Sequence, residues 1–305
     1  MAVAKTYGTG YTSGTYTPNV STEFDMIGKV ALQLIKEVTA KNPLSVFEQY
    51  TVDNGDTIEQ AVVKMLQSSA YDPTGANALT PDRTQKFAVS YFKDWDRETY
   101  KTTVDKAELR KYLTGQLSST EVASKLVAQL SESDKNEKFG YLKGLLNYGV
   151  TGAIFTDVTY SNGSSNPIDI TNGDYKGMLK TIKNTVKAFQ FVSTNFNNAG
   201  IDQRSEASDI YIVMPYTLKN ALDVDELAGV FNLDKAEIRD KIIETDDISS
   251  GNVFVLDRRA IVVATRLFEL ENQKNAEALV WNYYLHVDRM YALSELFNAA
   301  FIPYV

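Results

Sequence analysis

The residues able to carry chemistry in this 305-residue chain are few. There is one histidine, His286, set in Trp281-Asn282-Tyr283-Tyr284-Leu285-His286-Val287, and there is no cysteine. A Ser-His-Asp relay would have to run through that imidazole, yet no nucleophile-elbow pattern accompanies it. An isolated histidine in a strand-like run is instead expected to be packed or hydrogen-bonded. Zinc sites built from several imidazoles or thiolates are excluded by the same counts. Three acidic pairs stand out: Asp94 with Asp96, Asp223 with Asp225, and Asp246 with Asp247. Paired carboxylates can divide acid and base roles, but 39 acidic residues make such pairs common by chance. Asp223 and Asp225, two apart in a predicted helix, would point to different faces. All three pairs read as solvated surface, with divalent ions at subunit contacts left open. Gly8, Gly10 and Gly14 lack both the preceding strand and the Gly-Lys-Ser/Thr of a phosphate loop. No catalytic, cofactor-binding or metal-binding residue is assigned, and no cofactor is expected.

The overall charge points the same way. A formal net charge of −8 and the lack of a basic stripe argue against direct DNA readout. The one notable basic doublet, Arg258-Arg259, follows Asp257 in a predicted turn. No apolar run approaches the ~20 residues of a membrane span, and Met1 to Gly8 has no secretory apolar region. The Asn162-Gly163-Ser164 sequon therefore has no secretion signal beside it. Lack of cysteine fits a reducing cytoplasm. Eighteen tyrosines and fourteen phenylalanines suit either a core or an interface.

The elements that would position these residues fall into two halves. Tyr7 to Val20 is Gly, Thr, Ser and Tyr without period, an extended arm. A helix capped by Ser21 or Thr22 carries Met26, Ile27, Val30, Leu34 and Val38, and ends before Pro43. Val46 to Tyr50 predicts a short strand, closed by the turn Asp53-Asn54-Gly55-Asp56. Thr57 to Val104 predicts a long two-stranded hairpin with a polar tip: Ile58 to Leu66 is apolar-rich, and Phe87, Val89 and Tyr91 alternate with Ala88 and Ser90. Such a hairpin is marginal alone and needs a partner surface. Ser118 to Tyr148 predicts one long helix with a capping box at Ser118 and Glu121, a weak point at Ser133-Asp134, and an end at Gly149. Tyr160 to Gly173 is a linker. The second half predicts helices at Tyr175–Asn195, Thr217–Phe231 and Lys235–Ile243. Its strands are expected at Asp209–Met214, Val253–Leu256, Ala260–Thr265, Val280–Val287 and Tyr291–Ile302. Arm and hairpin would leave open edges that neighbouring subunits must cover, which argues for an assembly protein.

Three stretches resemble the major capsid proteins of small podophages of the phi-29 type. Ala31 to Asp72 carries Asn42-Pro43-Leu44 and then Gly55-Asp56-Thr57-Ile58-Glu59 entering the hairpin. Leu218 to Leu233 reads LKNALDVDELAGVFNL, similar to the family's acidic segment. Val280 to Phe301 carries Trp281-Asn282-Tyr283-Tyr284, His286-Val287 and Phe297-Asn298-Ala299. The likeness covers about residues 30 to 303. It implies the α+β Hong Kong 97-type tailed-phage capsid fold. The implied division is an N-terminal arm at 1–22, a first peripheral part at 23–56 and an extended loop at 57–104. A peripheral domain with the spine helix follows at 105–173, an axial domain at 174–278, and C-terminal strands joining the domains at 279–305. With the chain ending at Val305, the immunoglobulin-like appendage of some relatives is not expected, and no covalent crosslinking is carried over. The implied function is a self-assembling structural shell, not an enzyme, built from pentamers and hexamers around phage double-stranded DNA. Its partners would be itself, a scaffolding protein and a portal, with no sequence-specific DNA contact and no membrane. It would be made and assembled in the host cytoplasm and end in the virion capsid. An encapsulin-like nanocompartment shell and a carboxylate-dependent hydrolase remain alternatives.

Overall fold

The computed structural model describes residues 38–52, 57–66, 68, 70–71, 73–75, 79–81, 83–84, 86–105, 119–158, 167–170, 175–222, 241–246 and 251–305. The N-terminal arm, nearly all of the first helix, the Asp53–Asp56 turn, Ser118, Asn162–Asn166, Asp223, Asp225 and Asp247 lie outside them. Along the chain come β1 (Glu48–Thr51), β2 (Ile58–Val63), β3 (Phe87–Phe92), β4 (Asp96–Asp105), α1 (Ser119–Thr151) and β5 (Thr156–Asp157). They are followed by α2 (Tyr175–Phe189), β6 (Ile210–Pro215), α3 (Tyr216–Ala221), β7 (Ile242–Thr245), β8 (Asn252–Asp257), β9 (Ile261–Asn275), β10 (Val280–Leu293) and β11 (Ala299–Pro303). The strands form a five-stranded sheet, β5-β11-β8-β6-β7, a four-stranded sheet, β1-β9-β10-β4, and the two-stranded pair β2-β3. Contacts divide the described residues into two compact units, and α1, β4, β9 and β10 contribute residues to both.

The larger unit takes 40–99, 134–269 and 286–305, and its core is built around the five-stranded sheet. Every residue of β6 and β8 is buried, as expected of near-continuous apolar runs covered on both faces. The two-residue period sorts these side chains into layers. Ile210, Ile212 and Met214 of β6 join Val253 and Val255 of β8 on one side, against Met178, Ile182, Val186 and Phe189 of α2. Tyr211, Val213, Phe254 and Leu256 lie on the other side with Leu142 and Leu146 of α1, Leu44 and Phe47. Strand β8 runs antiparallel to both β11 and β6, while β6 and β7 are parallel.

The smaller unit holds 100–105, 119–133 and 270–285 among its described residues. Val104, Leu130 and Leu285 are its buried apolar side chains. The Thr103 hydroxyl donates to Asn282 Oδ1 at 2.7 Å, and the Lys101 ammonium lies over the Tyr284 ring.

Several elements differ from the sequence expectation for identifiable reasons. Pro43 starts a 3-10 turn, Pro43–Phe47, capped by the Asn42 side chain on Leu44 N–H, so the strand begins only at Glu48. Thr99–Val104 does not continue the hairpin: pairing of β2 with β3 ends at Phe92, and β4 belongs to the four-stranded sheet. Helix α1 is unbroken at Ser133-Asp134, because a partner for the Asp134 carboxylate is supplied from elsewhere in the fold. It ends just past Gly149, whose carbonyl accepts from Ile154 N–H and Phe155 N–H. A Cβ at Gly149 would sit 2.3 Å from the Phe155 ring, so that close approach requires glycine. Helix α2 stops at Phe189, not Asn195: the Phe189 carbonyl takes the Ser205 N–H, and the Gln190 carbonyl takes Arg204 Nε. Ile242 and Ile243 are strand, not helix, paired to Ile212 and Val213. β9 extends ten residues beyond Thr265, to Asn275. The expected strand Tyr291–Ile302 is two strands, parted where the Ser294 hydroxyl accepts from Leu296 N–H.

Candidate assembly surfaces

The residues singled out for chemistry do not come together. His286 Nδ1 lies 3.0 Å from the Thr99 hydroxyl, the hydrogen-bonded setting expected of a lone strand histidine. Asp94 and Asp96 are exposed where β3 leads into β4. Asp246 is exposed just after β7 and pairs with Lys143 of α1 at 2.8 Å. Among the described residues no three His, Asp or Glu side chains are grouped to hold a metal ion. No helix among them is long and apolar enough to cross a membrane.

Charges are instead used to fasten elements, a feature with no local sequence signal. The Arg289 guanidinium of β10 makes a two-point contact with Asp134 of α1, its Nη2 lying 2.8 Å from Oδ2, and both side chains are almost fully buried. Burial opposes the Arg289 charge, but the Asp134 carboxylate holds it above its ordinary pKa. The preceding residue, Asp288, points to the opposite side of β10, as strand alternation requires. Its Oδ2 accepts from Arg266 of β9 at 2.8 Å and from Arg97 of β4 at 3.2 Å, and Arg266 stacks over Trp95. Consecutive residues of one strand thus bind a helix on one side and two strands on the other. Nearby, Tyr141 of α1 stacks on Tyr291 and donates to Glu98. That hydrogen bond, then burial, pushes the Tyr141 phenol up to about 12. Burial pushes the Tyr291 phenol up as well.

The surface best suited to recognition is the β2-β3 hairpin. Its register places Ile58 opposite Phe92, Gln60 opposite Ser90 and Val62 opposite Ala88 on one face. The other face pairs Glu59 with Tyr91, Ala61 with Val89 and Val63 with Phe87. The first face turns inward: Ile58 and Phe92 pack against Val262, Ala264 and Met290, and buried Gln60 donates to the Arg259 carbonyl at 3.3 Å. The second face, the more apolar, is the exposed one, with Val63 67%, Phe87 56% and Tyr91 65% accessible. Met65 and Leu66 extend this exposed stripe past the end of β2. Both faces are largely apolar, so the usual polar outer face is lacking, and exposed contiguous apolar area of this kind marks an interaction site.

A family model described as "Phi29-like phage major capsid protein" matches residues 7–303. The chain belongs to this family. Among curated relatives, the major capsid protein of Bacillus phage GA-1 is 27% identical over 278 residues, covering 90% of this chain and 58% of its own length. That of Streptococcus phage Cp-1 is 24% identical, covering 90% of this chain and 80% of its own length. The chain thus spans about three fifths of the length of the Bacillus phage relatives it matches. The capsid structure of Staphylococcus phage Andhra superposes over 91% of this chain and 88% of its own, with a TM-score of 0.72 and 14% identity. The fold is therefore the Hong Kong 97-type tailed-phage capsid fold, as the sequence resemblance implied. Membership of the Phi29-like family does not favour the nanocompartment and hydrolase readings.

Proposed function

We propose that this chain is a structural subunit of a closed phage capsid, not an enzyme, and that copies of it associate into the pentamers and hexamers of an icosahedral or prolate shell around double-stranded DNA. The observation that carries the reading is the hairpin with its apolar face outward in a member of a capsid family. In this reading the hairpin is the extended loop and covers a neighbouring copy. The unit around the five-stranded sheet supplies the axial domain, and α1 is the spine of the peripheral domain. Standard interfaces bury ~800 Å² per partner, and several neighbours per subunit allow each contact to stay weak. A scaffolding protein and a portal complete the assembly, which takes place in the host cytoplasm. The net charge of −8 keeps the shell from binding the packaged DNA tightly.

Electron microscopy of the expressed chain, with and without a scaffolding partner, tests this directly. Uniform closed shells are expected, and their diameter gives the triangulation number. Deleting Tyr71 to Arg83, at the far end of the hairpin, is expected to leave a folded protein that closes no shells. Normal particles from that deletion would refute the role given to the hairpin.

A further inference from the structure

Helix α2 carries four lysines, Lys176, Lys180, Lys183 and Lys187, spaced four, three and four residues apart. The helical period brings that spacing into one row. The linear order does not display this basic stripe; the helix creates it. No Asp or Glu occurs from Tyr175 to Ile201. Lys176, Lys180 and Lys187 are exposed and Lys183 is half-buried. The opposite face of the helix is fully used. Met178, Ile182, Val186 and Phe189 pack on the five-stranded sheet, and the buried Thr181 and Thr185 hydroxyls donate to the Gly177 and Thr181 carbonyls.

On its own the row weakens the helix. Like charges three and four residues apart repel along a helix surface. Lys176 sits in the first turn, where the helix dipole favours an acid, and that turn holds none. Among the described residues, none of the four ammonium groups makes an ion pair or a hydrogen bond. An anionic partner from outside the chain explains the arrangement.

The surroundings of the row define that partner. Lys176 to Lys187 spans ~16 Å of helix. Exposed apolar side chains flank it in the chain: Tyr175 at its start, then Phe191 and Val192 just past its end, with Phe191 70% accessible. We propose that the exposed face of α2 docks an acidic, partly apolar peptide segment of a second protein. Its carboxylates pair with the lysine row, and its apolar residues meet Phe191 and Val192. This contact is additional to those between copies of the chain. Double-stranded DNA fits less well. A duplex is charged along its whole length and meets the repulsive field of a chain of net charge −8, and its phosphates offer nothing to Phe191. A short acidic segment meets mainly the row, because exposed charges further off than ~8 Å are largely screened at physiological salt.

Binding to the expressed full chain is read by fluorescence anisotropy. The probe is a labelled helical peptide of about 15 residues, long enough to span the row, built from Glu, Leu and Ala with Glu at the same four-three-four spacing. The control is that peptide with Gln in place of Glu. Saturable binding of the Glu peptide, weakened by salt, and none of the Gln peptide are expected. Lys176→Glu, Lys180→Glu, Lys183→Glu and Lys187→Glu together are expected to weaken binding about tenfold or more, the sum of several exposed ion pairs. Should that variant fail to fold, Lys→Gln at the same four positions carries the test. The same charge change at exposed Lys41, Lys86, Lys93 and Lys274 is expected to leave affinity within about twofold, since distant surface charges are screened. Phe191→Ser is expected to weaken binding as well, which charge attraction alone does not explain. Equal loss from the two sets of four substitutions, or no saturable binding, would overturn the proposal. A DNA duplex of about 30 base pairs that binds as tightly, and is released by the same α2 changes, would overturn it in favour of a nucleic-acid surface. Loss of shell formation by the α2 variant, with no second protein present, would assign the row to a neighbouring copy and overturn it too.

Discussion

The five-stranded sheet and the β2-β3 hairpin are written in nearly the same residue alphabet and end in opposite environments. In the sheet, Phe254 and Tyr211 lie beneath α1, and their neighbours Val253 and Ile212 lie beneath α2. In the hairpin, Phe92 and Ile58 find an apolar cluster, but Phe87, Val89 and Tyr91 find none among the described residues. The difference is the missing second layer. An apolar strand face is a core when its own chain supplies a cover, and a docking surface when it does not.

That contrast makes quantitative demands. Truncating a phenylalanine in the sheet, Phe254→Ala, is expected to cost about 3–5 kcal/mol, seen as a large fall in the denaturation midpoint. A comparable loss is expected from Asp134→Ala, about 3–5 kcal/mol, because it strands the buried Arg289 charge; a change below 1 kcal/mol would show that the pair is solvated. Polar replacement in the hairpin, Phe87→Ser with Tyr91→Ser, is expected to move folding stability by no more than about 0.5 kcal/mol per site and yet stop shell closure. Equal destabilisation of sheet and hairpin variants would erase the distinction between the two regions. The smallest effect concerns Tyr141, whose neutral phenol is favoured by Glu98. With a folded pKa raised to about 12 from 10.0, its stabilising contribution is complete below the ordinary value and is lost as pH climbs through about 12. Tyrosinate absorbance should lose one late-titrating group in Tyr141→Phe.

Much of the sheet was legible because Ile210–Met214 and Val253–Leu256 are unbroken apolar runs, a pattern that only a strand covered on both faces explains economically. The long helix was legible from its period, and the hairpin's strands from their alternation. Which face of the hairpin points outward was not, because the alternation of Phe87, Val89 and Tyr91 looks the same whether a core or a neighbour receives it. Helix Lys235–Ile243 was misjudged at its end because Ile242-Ile243 has no period of its own, and pairing with β6 decides it. The Asp134–Arg289 tie joins positions 155 residues apart, a separation at which no local pattern operates.

If the chain builds a shell as proposed, the outward stripe would also set the tempo of growth. Until it is covered, each free subunit carries an adhesive strip that can land on any apolar patch. A strip only partly exposed, on a hairpin anchored at its base by Ile58 and Phe92, gives each landing a modest hold. A misplaced subunit can then detach before its neighbours lock it in, since dissociation rate is where weak contacts differ most from strong ones. In the shell reading, the exposed face of one short hairpin would thereby provide proofreading, with wrong placements erased by their own short lifetimes.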